Sequence, residues 1–310
     1  MSRIECISLA TMQPSPLPQA SVICLGNFDG VHLAHQALMH EAVRIKQEKL
    51  PDAAACALCF RVPSSDLLKG TPPAHLCTME QKLEYFRDAG MEYAILVDFS
   101  AIRAFSPEAF VSEILKAICG CVAAVCGFNY HFGYKGAGDA EKLKALLDGK
   151  AWVQDEITVD GLTVSSTNIR AMIADGRVKA AAALLGRPYA MRSTIVRGKG
   201  LGHKMGIPTI NQYFQDGILP PKSGVYITDC TVNGHTYRGV SNVGVHPTVD
   251  LGAALNCETH LLDCNEDLYG KSATVHFLER LREEEKFDSL AALTSQIAAD
   301  IRAAKDYRTL

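Results

Sequence analysis

Val22-Ile23-Cys24-Leu25, then Gly26-Asn27-Phe28-Asp29-Gly30, then Val31-His32-Leu33-Ala34-His35: this stretch decides how the rest of the chain is read. Its first four residues form an unbroken apolar run, as in a strand buried on both faces. The glycines after it let backbone N–H groups approach a ligand closely, and a helix begins beyond them. His32 and His35 are three residues apart. They therefore share one face near the positive end of the helix dipole, where N–H groups hold phosphate-sized anions. The spacing predicts a strand, an anion-binding turn and a helix N-terminus carrying two imidazole donors. A metal pair fits poorly, because no third ligand lies at helical spacing.

Composition frames that reading. With 310 residues, 48% of them hydrophobic, the chain has material for two cores. A net charge of -3, from 31 basic and 34 acidic residues, gives no electrostatic case for nucleic acid. No uncharged apolar run reaches the roughly 18 residues of a membrane-spanning helix. The first twenty residues lack the apolar core and cleavage site of an export signal, so a cytoplasmic protein is expected. The 11 cysteines fall mostly in hydrophobic runs, where a thiol acts as a small buried hydrophobe. Cys56 and Cys59 form a lone C-x2-C pair with nothing placed to complete a metal site.

Working outward from the turn, residues 40–49 continue the helix with Ala42, Ile45 and Leu50 on one side, and 53–60 reads as a second buried strand. Strand, helix, strand argues for a parallel sheet and an α/β fold. A helix over 78–89, a strand over 93–98 and a helix over 107–119 follow. The strand at 122–128 delivers a second glycine-rich loop, Gly127-Phe128-Asn129-Tyr130-His131-Phe132-Gly133, with Gly136, Gly138 and Asp139 before a helix over 140–147. Ligands of open parallel sheets bind beyond the carboxyl ends of the strands, which puts both loops on one edge. Val164-Ser165-Ser166-Thr167-Asn168-Ile169-Arg170 then sets three hydroxyls before a helix, able to cap its N–H groups or to contact phosphate, while Arg170 offers a planar fork to phosphate oxygens.

From Met191 the texture changes to short apolar stretches, 193–196, 224–230, 235–243 and 272–277, separated by glycine and proline. These predict a small antiparallel barrel. A terminal amphipathic helix over 289–307 has Leu290, Leu293, Ile297 and Ile301 on one stripe, expected to pack on the core. Gly198-Lys199-Gly200-Leu201-Gly202-His203 can cradle phosphates, although no G-K-[ST] follows it as in a P-loop. Thr209 and Asn211 are two residues apart, so in an extended chain both point at one hard cation or its bound phosphates; a plain strand opening after Pro208 reads equally well. Glu258 is either a general base or a strand glutamate paired across the barrel.

These ordered motifs, spanning 22–307, resemble the bacterial bifunctional riboflavin kinase/FAD synthetases. The resemblance implies a Rossmann-like nucleotidyltransferase domain over 1–187, making FAD and pyrophosphate from FMN and ATP. It also implies a riboflavin kinase barrel over 188–310, making FMN from riboflavin and ATP with Mg2+. By resemblance, Gly26, Asn27, Phe28, Asp29, Gly30, Ser165, Ser166 and Thr167 bind nucleotide, His32, His35 and Arg170 neutralise phosphate charge, and Asn129 belongs to the flavin and nucleotide loop. In the second domain the resemblance puts Thr209 and Asn211 on Mg2+ and phosphate, makes Glu258 the base, and brings Arg282, with Glu285 and Phe287, to the flavin. The segments Gly239-Val240-Ser241-Asn242-Val243-Gly244 and Cys257-Glu258-Thr259-His260 match the kinase module as well. The chain departs from the pattern at Ala34, where the family has glycine, and at Asn168, where it often has arginine. It also departs at Arg61-Val62-Pro63-Ser64, where the family often has Asp-Pro-His-Pro. These departures keep open a second reading, a riboflavin kinase whose first domain only binds.

Overall fold

A computed structural model describes residues 4–8, 20–61, 74–198, 206–248 and 252–308. Val62, Pro63, Ser64 and the loop residues Lys199, Gly200, Leu201, Gly202 and His203 lie outside them. The described residues form two compact units, one drawn from 1–73 and 78–165, the other from 74–77 and 166–310.

The first unit is built on a six-stranded parallel sheet of order β1-β4-β3-β2-β5-β6. Its elements are β1 (Glu5–Ser8), β2 (Ser21–Leu25), α1 (Leu33–Lys49), β3 (Ala54–Phe60), α2 (Met79–Asp88), β4 (Tyr93–Val97), α3 (residues 107–118), β5 (Cys121–Gly127), α4 (Ala140–Leu146) and β6 (Ala151–Gln154). β2 lies at the centre with all five residues buried, which is why its sequence shows no alternation. Ile23 and Leu25 face the layer containing Ile114 and Leu115, while Val22 and Cys24 face the layer containing Met39 and Ala42. Cys56 and Cys59 of β3 fall on opposite faces by the same arithmetic and cannot share a metal. Burial pushes the Cys119 and Cys121 thiols up to about 12, so they remain protonated hydrophobes.

Two features differ from expectation. Most of α3, Phe110–Ile118, is wound as a π-helix, and its wider turn sets Phe110, Val111, Ile114 and Leu115 against the sheet. The edge strands β1 and β6 have no signal of their own: each has four residues, and only Ile7 of β1 and Ala151 of β6 are fully buried.

A short hairpin, β7 (Thr158–Val159) and β8 (Leu162–Thr163), ends the first unit. The second opens with α5 (Ser166–Ala174) and α6 (Val178–Leu185), broken at Gly176, whose φ is 80°. Six antiparallel strands follow in the order β10-β13-β12-β11-β14-β9: β9 (Tyr189–Thr194), β10 (Ile210–Tyr213), β11 (Gly224–Val232), β12 (His235–Thr248), β13 (Gly252–Leu261) and β14 (Ser272–Arg282). The sheet curls until its ends meet. Val196 N donates to Asn211 O at 2.8 Å, and the buried Gln212 Nε2 donates to Ser193 O at 2.8 Å and to Ala273 O at 2.9 Å. Inside, Tyr226 meets Phe277 edge to face at 5.4 Å, beside a fully buried hydroxyl chain of Thr228, Ser241 and Thr259 with 2.8 Å links.

The terminal helix α7 (Leu290–Asp306) covers Val225, Ile227, Val240 and Leu278 on the outside of this sheet. The stripe expected to pack there is corrected at its start, since Leu290 is 64% exposed and the fully buried positions are Asp300 and Ala304. Asp300 turns inward to pair with Arg282, whereas Leu290, on the same side of the helix as the packed Ile301, is exposed as the first residue of α7.

Candidate active sites

In the first unit the strand order reverses at β2, with β3 and β4 on one side and β5 and β6 on the other. Both glycine-rich loops leave the carboxyl ends of the paired neighbours β2 and β5. They therefore open at a topological switch point, where open α/β sheets bind ligands.

The first loop is tightly wound. Phe28, Gly30 and Val31 have φ of 52°, 77° and 40°, and for a β-branched valine that conformation is costly, roughly 1–3 kcal/mol. Local contacts hold it: Gln36 Nε2 donates to Val31 O at 2.8 Å, and Lys82 Nζ donates to Asn27 O at 3.0 Å. Phe28 is fully buried, edge-on to Phe86 at 5.4 Å and to His35 at 5.2 Å. A side chain at Gly26 would meet the Phe28 ring at 3.0 Å. His32 is the N-cap of α1, its Nδ1 accepting from His35 N at 3.4 Å, which leaves the ring proton of a neutral imidazole on Nε2. The two imidazoles stack, 3.6 Å apart and 14° from parallel, and His32 and Asp29 are almost wholly buried.

The second loop carries Phe128, 51% exposed, and an exposed Asn129. It is fastened behind them, where Phe132 and Gly138 form a bridge so close that a Cβ on Gly138 would lie 2.7 Å from the Phe132 ring. Ser165 closes the first unit. Ser166, Thr167 and Arg170 belong to α5 of the second, where Arg170 Nε donates to Ala74 O at 2.9 Å.

In the second unit the residues singled out by sequence fall on one line. The antiparallel register pairs Arg282 with Val225, Val225 with Asn242, Asn242 with Glu258, and Glu258 with Asn211. Directly opposed residues share a face, so this is one cross-strand row over five strands, about 19 Å long. Thr209 Oγ1 donates to Glu258 Oε1 at 2.6 Å, and Asn256 Nδ2 donates to Asn211 Oδ1 at 2.9 Å. The backbone at Gly198 lies on Asn211: a Cβ there would be 2.3 Å from Asn211 Nδ2. The start of the cationic loop is thus laid against the row. Glu284 reaches Asn242 Nδ2 at 2.9 Å and lies over Gly244, while Glu285 is exposed. Arg282 forks onto Asp300 at 2.8–3.2 Å and faces the Phe287 ring at 5.7 Å.

Comparison with known proteins gives both units a family. A family model described as FAD synthetase matches residues 15–168, and one described as riboflavin kinase matches 185–308. The bifunctional riboflavin kinase/FMN adenylyltransferase of Bacillus subtilis (strain 168) is 33% identical over 294 residues, 93% of this chain and 92% of that protein. The chain belongs to this family. The bifunctional riboflavin kinase/FMN adenylyltransferase of Listeria monocytogenes is 34% identical over 284 residues, 90% of each chain. A crystal structure described as a macrolide-efflux protein from Streptococcus pneumoniae matches with a TM-score of 0.91 at 31% identity, over 98% of this chain and 100% of that one. That description belongs to the other protein; among the described residues here, no helix is long and apolar enough to cross a membrane.

Membership in the riboflavin kinase/FMN adenylyltransferase family over both units does not favour the reading of a kinase with a binding-only first domain. Several residues around the sites were not singled out from sequence. Lys82 sits in an amphipathic helix, where a lysine reads as solvent-facing. Asn242 joins the row through strand register, and Asn256 and Glu284 reach it by side-chain hydrogen bonds to Asn211 and Asn242, none of which a local pattern encodes.

Proposed function

We propose that this chain, a riboflavin kinase and FMN adenylyltransferase, divides the work as modules 1–187 and 188–310. The second phosphorylates riboflavin with ATP; the first joins FMN to the AMP portion of ATP, giving FAD and pyrophosphate. The observation that carries the kinase assignment is the row of Asn211, Glu258 and Asn242, with Thr209 bonded to Glu258 at 2.6 Å. Glu258 is the base that accepts the proton of the riboflavin primary hydroxyl as its oxygen attacks the γ-phosphorus and the bond to the bridging oxygen breaks, releasing ADP. Thr209 fixes the carboxylate's rotamer and keeps two lone pairs of its own.

The donor set suits Mg2+. Thr209 and Asn211 offer hard oxygens, and the neighbouring amide oxygens Asn242 Oδ1 and Asn256 Oδ1 are buried with no protein partner among the described residues. Bound there with ATP, Mg2+ would neutralise phosphoryl charge, and Thr209 and Asn211 would hold it. Gly198, Lys199, Gly200, Leu201, Gly202 and His203 are assigned to the ATP phosphates, and Arg282 and Glu285 to the flavin side.

For adenylyl transfer, an FMN phosphate oxygen attacks the α-phosphorus of ATP directly and pyrophosphate leaves. Gly26, Asn27, Phe28, Asp29 and Gly30 supply the turn, His32 and His35 donate to the phosphates, and Ser165, Ser166, Thr167 and Arg170 are assigned to the same charge. Asn129 is assigned to the flavin and nucleotide loop. Incubating the purified protein with riboflavin and excess Mg-ATP, then separating the flavins, tests the whole reading. FAD is expected; FMN alone would reduce the chain to a kinase, and riboflavin alone would sink both assignments.

A further inference from the structure

The most unusual charged group near the first turn is Lys82. Lysine is among the residues least often buried, yet Lys82 is 4% exposed. It enters the core from the first turns of α2, a helix fixed by a full capping box between Thr78 and Gln81, so its position is not adjustable. Its Nζ donates to the carbonyl oxygen of Asn27, the residue between Gly26 and the left-handed Phe28. Phe86, one helical turn further on the same face of α2, packs edge-on against Phe28. Phe28 in turn meets His35, and His35 stacks on His32. One face of α2 therefore grips the turn twice, by an ammonium at its backbone and by a ring at its side chain.

From this geometry we infer that Lys82 is a positioning residue for adenylyl transfer, setting the turn that receives the ATP phosphates. A peptide unit is planar, so fixing the Asn27 carbonyl toward α2 also fixes the N–H of Phe28 on its opposite side. Burying an ammonium is costly unless it is well paired, and a neutral side chain would fill the space without that cost. The charge is placed where the turn accepts a polyanion, and it acts through Asn27 rather than by touching the reacting atoms. The inference rests on the assignment of the turn and His32 to the adenylyltransferase site.

The test compares Lys82→Met, of similar length but without donor or charge, with Lys82→Arg, which keeps both, in the full-length protein. In FMN adenylylation Lys82→Met is expected to raise KM for ATP about tenfold, the scale of one charge-assisted hydrogen bond, with KM for FMN nearly unchanged. Lys82→Arg is expected to recover most of the loss. Riboflavin phosphorylation by the same preparations should match the parent, and the nearly unchanged KM for FMN in adenylylation reports that the first unit of each variant is folded. An unchanged KM for ATP in Lys82→Met, an equal rise for ATP and FMN, or an arginine variant no better than methionine would each overturn the inference. His32→Asn, assayed alongside, separates the two levels. If it leaves adenylylation intact, the site assignment itself fails; if it is inactive while Lys82→Met equals the parent, only the role of Lys82 does.

Discussion

The two units solve the placement of polar chemistry in opposite ways. In the parallel sheet the central strands are sealed on both faces, so the groups assigned to function sit beyond the strand ends, on turns that follow β2 and β5. In the curled antiparallel sheet one face is core and the other is covered by α7 only in part, so the groups assigned to function stand on the strands themselves, in a row from Arg282 to Asn211. A loop site is contiguous in sequence and leans on neighbouring helices for rigidity. A row site is assembled from distant segments and takes its rigidity from the ladder. Damage to the row should therefore stay in the kinase, and damage to the turn in the adenylyltransferase.

The sharpest break in that comparison is Glu258→Ala. Removing the proposed base should lower FMN formation by roughly a hundredfold or more. Adenylylation of FMN supplied in the medium should persist, because Glu258 lies in the second unit and none of the first unit's motifs involves it. Flavin separation after each half-reaction checks this, and loss of both activities in a folded variant would count against separate sites. Gly198→Ala should come next. Its methyl group would displace the Asn211 amide from a 2.3 Å approach and break the bond from Asn256, lowering kinase kcat/KM about tenfold through one lost buried hydrogen bond. Kinase kinetics unaffected by that methyl group would mean the loop does not deliver phosphate to the row.

Thr209→Ala is a subtler probe of the same row. It removes one hard oxygen and frees the Glu258 carboxylate from its 2.6 Å partner. The Mg2+ concentration needed for half-maximal kinase activity should rise several-fold, with one ligand or phosphate-orienting hydroxyl lost. A Mg2+ titration superimposable on the parent's would reduce Thr209 to a strand residue.

What could be read from sequence follows the same division. The turn after β2 was readable because strand, glycines, imidazoles and helix start are adjacent, and each has its own local signal. The row was readable only as separate fragments: Thr209 with Asn211 as one spacing, Glu258 as a lone carboxylate. Their alignment, and the entry of Asn242 and Asn256, depends on register between strands more than forty residues apart in some pairs, and Glu284 enters by its hydrogen bond with Asn242. Leu290 is exposed although it lies on the same stripe as the packed Ile301, because periodicity gives the side of a helix that is buried but not how far along the helix the cover extends. Lys82 went unread for a related reason: the amphipathic pattern of α2 gives charge to the solvent side, and the exception is visible only once Asn27 is beside it.

The smallest effect is expected at Ala34, on the turn side of the comparison. The family pattern has glycine between the leucine and the second histidine, and Ala34 is the second residue of α1, half-buried between the His32 cap and His35. On the proposed assignment the helix N-terminus comes close to nucleotide here, and a methyl group costs approach rather than folding, since alanine is the better helix former by about 1 kcal/mol. Ala34→Gly should therefore lower KM for ATP in FMN adenylylation by a few-fold, with a slight fall in Tm, and leave the kinase step alone. The stacked histidines and the Lys82 grip on Asn27 remain in place in either protein, so the change isolates contact distance from charge. A folded glycine variant whose ATP dependence in adenylylation equals or falls below the parent's would show that the methyl group rests against the nucleotide without crowding it, and that the turn's tolerance is wider than its winding suggests.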